Sequence, residues 1–223
     1  MGNGNNTAAI AILNNPPELI QWGTKNHIQG LLDSYDSSYV FDAIPNWFTG
    51  HDRQNSEFVS NVTYALEKYQ AVDIFVLSHT NDYYALLEEI PEKLRKKIRL
   101  VYNSGCYNAR DAEKWLSRGA KVYVGHPGSS CSPTFFQSFK HYWWSGVSVG
   151  QAVQQANADM EKSIREGYRR DLTSSLLAFY CDNMLYWGAR GMEDEKVKAT
   201  TAQVAGNLSI TIYTGGRNTS PSP

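Results

Sequence analysis

Two residue types that cooperate in acyl-transfer chemistry, an imidazole and a thiol, each stand just past an apolar run of this chain. His79 follows Val72-Asp73-Ile74-Phe75-Val76-Leu77-Ser78, and Cys106 follows Ile98-Arg99-Leu100-Val101-Tyr102 and the turn Asn103-Ser104-Gly105. A cysteine thiol titrates near pH ~8.5, and a neighbouring imidazole or favourable backbone dipoles raise the share of thiolate, the form that attacks. Gly105 allows a sharp turn that presents Cys106 outward. A helix expected to begin near Ala109 or Asp111 adds the partial positive charge of its first turn. The backbone N–H of Cys106, with one from the loop after His79, is the candidate pair for holding a developing oxyanion. Taken singly, a cysteine in an α/β protein is usually a small buried hydrophobe and a histidine a structural residue. Their joint placement past two successive apolar runs is what singles them out.

Other chemistry-bearing residues form no comparable set. His126 and Cys131 share one loop, but with no further Cys or His close by no zinc site is expected. Cys131 stands as an alternative nucleophile. Cys181 lies in an apolar helical stretch and reads as core, and His27, His51 and His141 read as surface or helix residues. Phe135, Phe136, Phe139, Tyr142, Trp143 and Trp144 have helical spacing and read as core rather than a ligand cage. The short basic cluster Lys93, Arg95, Lys96 and Lys97 is flanked by Glu88, Glu89 and Glu92 and reads as a solvated helix face rather than a nucleic-acid patch.

The elements that must position the pair follow from hydrophobic period. Continuous apolar runs bounded by turn formers, at 8–13, 39–44, 72–77, 98–102 and 120–124, read as strands buried on both faces. Between and after them, 25–34, 56–69, 111–117, 134–144, 149–165 and 174–187 carry helical spacing, and 83–97 is helical at both ends around Pro91. Gly119 is placed to cap the 111–117 helix and Ser148 to open the 149–165 one. Residues 208–213 alternate as a final edge strand with one wet face would. This β-α-β order predicts an α/β domain with a mostly parallel sheet and helices on both faces, spanning 1–217 with a flexible tail at 218–223. In such sheets ligands bind beyond the carboxyl ends of the strands. If the two strands leading to His79 and Cys106 are neighbours, their ends lie about 5 Å apart. No glycine-rich phosphate loop follows the first run, so a nucleotide-binding reading has no anchor.

The layout Ile74-Phe75-Val76-Leu77-Ser78-His79, then Leu100-Val101-Tyr102-Asn103-Ser104-Gly105-Cys106, resembles the caspase–hemoglobinase fold of clan CD cysteine peptidases. CHAT-type and gingipain- or clostripain-like bacterial branches are the most similar. Gly119-Ala120-Lys121-Val122-Tyr123-Val124-Gly125 is similar to that family's strand after the cysteine, and Ser145-Gly146-Val147-Ser148-Val149-Gly150-Gln151-Ala152 to a helix opening of the CHAT pattern. The first strand with Asn14 and Asn15 looks like that of caspases, and the resemblance covers about residues 8–160. It implies a three-layer sandwich and a cysteine endopeptidase in which Cys106 attacks the scissile carbonyl and His79 protonates the leaving amine. The chain departs from the family at two positions. Thr80 stands where glycine usually follows the histidine, and the neutral Ser104 stands in the substrate pocket where Arg/Lys-specific members are acidic. Asp82 and Asp42 are the remaining carboxylates that would bind a basic substrate side chain. These departures keep two rival readings open: a catalytically impaired scaffold of the same fold, and another thiol hydrolase such as an amidotransferase-like enzyme.

Bulk properties exclude several classes. The 223-residue chain is 42% hydrophobic and 19% charged with a net charge of −1, so it can fill a core and has no field to draw nucleic acid or an anionic membrane. No apolar run approaches the roughly 20 residues of a membrane span. Three scattered cysteines form no disulfide framework, and the Gly/Asn-rich start lacks a signal peptide's order, so a cytoplasmic location is expected. The expected partner is a peptide or protein substrate, with no cofactor.

Overall fold

The computed structural model describes residues 6–14, 35–42, 52–78, 83–128, 132–165 and 193–213. The five apolar runs form β1 (Thr7–Asn14), β2 (Ser37–Asp42), β3 (Ala71–Ser78), β4 (Ile98–Asn103) and β5 (Val122–Gly125). All five run parallel, and a short β6 (Gln203–Gly206) closes the sheet antiparallel to β5. The order is β2-β1-β3-β4-β5-β6. The order in which strands are added reverses between β1 and β3, so the crevice expected at such a switch opens between the carboxyl ends of these two strands. Every residue of β4 and β5 is buried, which is why these strands read as unbroken apolar runs.

The helices are α1 (Asp52–Lys68), α2 (Tyr83–Leu86), α3 (Glu92–Arg95), α4 (Ala112–Leu116), α5 (Ser132–Trp144), α6 (Val149–Arg165) and α7 (Glu193–Thr200). Alternate strand residues divide between two cores. Ile10, Ile12, Val72, Ile74, Val76 and Val101 pack with Phe58, Val62 and Leu66 of α1 and Trp115 of α4. Phe75, Leu77, Leu100, Tyr102 and Val124 pack with Phe135, Phe136, Phe139 and Trp143 of α5 and with α6. The aromatic series expected to be core is therefore core, with Tyr142 and Trp144 partly buried at its margin. Pro91 divides the 83–97 segment. Ile90 before it is extended at φ −97, ψ 133, the conformation proline imposes on its predecessor. No described helix is long and apolar enough to cross a membrane.

One buried ion pair is set by a sheet irregularity. Val72 pairs with Ile98 but Asp73 pairs with Leu100, so Arg99 is the extra residue of a bulge. Its Nε and Nη2 donate to Asp73 Oδ1 and Oδ2 at 2.8 and 2.7 Å, with both side chains fully buried. Tyr35 Oη donates to the same carboxylate at 2.6 Å, and Nη1 of Arg99 donates to the carbonyl of Ile212. Burial, and next the Asp73 charge, hold the Tyr35 hydroxyl well above its ordinary pKa.

The final strand is not where the 208–213 alternation placed it. Gly206 takes φ +94 and ends β6, and 207–213 continues as turns and irregular chain. The alternation nevertheless marks burial, since Ile210 and Ile212 are core residues. The carbonyls of this segment bond to the start of α6 rather than to a strand: Val149 N–H donates to Ile210 O at 2.7 Å and Gly150 N–H to Leu208 O at 3.1 Å. The helices expected at 25–34 and 174–187 and the tail at 218–223 lie outside the described residues.

Candidate active site

β3 and β4 are hydrogen-bonded neighbours, with Val76 opposite Asn103. The pairing continues one step further, as Ser104 N–H donates to Val76 O at 2.9 Å. The carboxyl ends of the two strands are thus side by side, about 5 Å apart. His79, the next residue after β3, lies outside the described residues together with Thr80 and Asp82. Cys106 follows β4 in a turn and is partly exposed.

The turn differs from the one expected. Gly105 is buried and is not its left-handed residue; that conformation falls on Tyr107, at φ 58. A non-glycine residue held there carries strain that the surroundings must offset. Tyr107 N–H donates to Gly128 O at 3.0 Å, and the residue is 56% exposed. The helix invoked to polarise Cys106 is also weaker than expected. A 3-10 turn at Asn108–Asp111 intervenes, and α4 is 5 residues long. A macrodipole effect fades within a turn, so α4 contributes little at the sulfur.

Side-chain amides hold the turn instead. Asn103 Oδ1 accepts from Gly105 N–H at 3.1 Å, and Asn108 Nδ2 donates to Asn103 O at 3.0 Å and also to Asn103 Oδ1. Asn108 Oδ1 accepts from His126 N–H at 2.8 Å, and Asn108 O accepts from Tyr123 Oη at 2.8 Å. Ala109 N–H donates to His126 O at 3.0 Å. The N–H groups of Ser104, Gly105, Tyr107 and Ala109 are all committed to protein oxygens. None of these four is available to an oxyanion.

His126, set just past β5, is fully buried. Its Nδ1 lies 2.9 Å from Thr200 O, an atom that can only accept, so Nδ1 carries the proton and Nε2 faces Tyr102 Oη at 3.4 Å. Burial pushes its pKa down to about 4, the bond to Thr200 offsetting only part of that. It is a neutral core histidine that ties α7 to the end of β5.

The remaining sequence candidates are dispersed. Ser104 is 4% exposed. Asp42 ends β2, three strands across from β4 in the sheet order, a lateral separation of roughly 14 Å at ordinary strand spacing. His141 is exposed in the last turn of α5. Cys131, Cys181, His27 and His51 lie outside the described residues. Sequence reasoning missed Asn103 and Asn108, because asparagine beside a strand end ordinarily signals a turn and nothing more. Compared with known proteins, the chain matches no family model and no curated protein.

Proposed function

We propose that this chain is a cysteine endopeptidase of caspase-like architecture, a three-layer α/β sandwich whose nucleophile is Cys106 and whose proton carrier is His79. The observation that carries this reading is the pairing of β3 with β4, which aligns the strand ends that lead to these two residues. The thiolate attacks the carbonyl carbon of a peptide bond, and the resulting oxyanion is held by the Cys106 N–H and an N–H at Thr80. The carbon–nitrogen bond then breaks as His79 protonates the leaving amine, and water hydrolyses the thioester to regenerate the thiol. With Ser104 neutral and buried and Asp42 about three strand spacings away, the reading does not extend to a basic-residue preference. Asp82 remains the carboxylate nearest in sequence to the dyad.

Iodoacetamide tests the reading directly. Cys106 should alkylate at least tenfold faster than Cys131 and Cys181, and the rate should fall in a His79→Ala variant. Equal labelling of all three thiols would favour the scaffold reading. Digestion of a peptide library separates an endopeptidase from a thiol hydrolase of small amides.

A further inference from the structure

We infer that Asn108, clamped to Asn103, is the positioning residue of the Cys106 site. This rests on the peptidase reading above. Cys106 lies between the two asparagines, and each of them is 2% exposed or less. Asn103 ends β4 and receives both Gly105 N–H and Asn108 Nδ2, so the chain on either side of the sulfur is tied to the same carboxamide oxygen. Asn108 in turn fastens the turn to the neighbouring strand end through His126 N–H and Tyr123 Oη. The pattern of donors and acceptors admits one orientation of the Asn108 amide. Nδ2 faces two acceptors, and Oδ1 faces one donor. Buried on all sides, the amide cannot exchange these partners for water, so the clamp is rigid.

The clamp replaces two devices that this turn lacks. A left-handed glycine does not shape it, and no long helix begins behind it. The backbone strain at Tyr107 is held from one side by Gly128 and from the other by Asn108. Positioning within a fraction of an ångström governs the attack of a nucleophile, and supporting residues that never touch substrate can set it. Asn108 acts through Cys106 in this way.

Gly125 offers a second handle on the same amide. A Cβ there would lie 2.7 Å from Asn108 Oδ1 and 2.7 Å from the ring of Tyr123, whose hydroxyl holds Asn108 O, while Gly125 itself is on β5, outside the Cys106 turn. Asn108→Ala, Asn108→Ser and Gly125→Ala would be compared with the parent chain in peptide turnover, in the pH profile of Cys106 alkylation and in thermal melting. In variants that melt cooperatively, kcat should fall at least tenfold with KM within threefold. Asn108→Ser, which restores one donor, should recover part of the loss. A folded Asn108→Ala chain with kcat within threefold of the parent would overturn the inference and leave the peptidase reading standing. A parent chain whose Cys106 alkylates no faster than Cys131 and Cys181 would overturn the peptidase reading instead. Failure of all three variants to fold would assign Asn108 to stability alone, which also overturns the inference.

Discussion

At the scale of single residues, burial decides roles that residue type leaves open. His126 and Cys106 belong to two chemically versatile residue types, yet one is sealed in the core and the other is partly exposed at a strand end. A histidine held neutral by burial makes stability depend on pH with a definite sign. Its folded pKa is about 4 against 6.5 for the free side chain, so between those values the unfolded chain takes up a proton that the folded chain does not. Stability is therefore unaffected by this group above pH ~6.5 and declines as pH falls toward about 4, by about 3 kcal/mol in all. Urea titrations at several pH values should show this slope, and His126→Gln should flatten it between pH ~6.5 and ~4 while leaving carboxylate titrations in place. An unchanged slope in the variant would mean that His126 is protonated in the folded protein.

At the scale of elements, local capping chemistry was readable and long-range pairing was not. Ser148 Oγ accepts from Gln151 N–H at 3.3 Å, and Gln151 Oε1 accepts from Ser148 N–H at 3.2 Å, a reciprocal capping box at the start of α6. The sequence placed this helix at 149–165 because both the cap and the apolar period are local, and α6 has those bounds. Ser148→Ala should cost about 1 kcal/mol in denaturant unfolding. The cost is read against Gln137→Ala, an exposed residue of α5, where it should be near zero. The 208–213 segment shows the opposite case. Alternation reports which residues are buried but not what their backbone bonds to, and here the partners are the N–H groups of α6.

At the scale of the whole molecule, the Asp73–Arg99 pair joins parts far apart in sequence: Tyr35 ahead of β2, the bulge of β4, Trp143 of α5 and Ile212 near the carboxyl end. A buried pair is weak evidence for net stabilisation, but breaking one is costly, because the surviving charge is left without a partner in a dry core. Arg99→Met should destabilise the chain by about 3–5 kcal/mol in urea unfolding. The double variant Arg99→Met with Asp73→Leu should lose less than the single one, because it strands no charge. A double variant that is worse than the single would assign the pair a specific structural role beyond charge compensation.

By itself the sequence determined the α/β class, the five parallel strands, the helix at 149–165, the core role of the aromatic series and the standing of Cys106 just past a strand. All of these rest on hydrophobic period and turn chemistry, which act over a few residues. Tertiary structure alone decided that β3 and β4 are neighbours, that Tyr107 rather than Gly105 takes the left-handed conformation, and that Asn103, Asn108 and His126 close around the cysteine turn. Strand order and buried polar networks are set by contacts between distant segments, and a buried donor or acceptor takes whichever partner the packed chain brings to it.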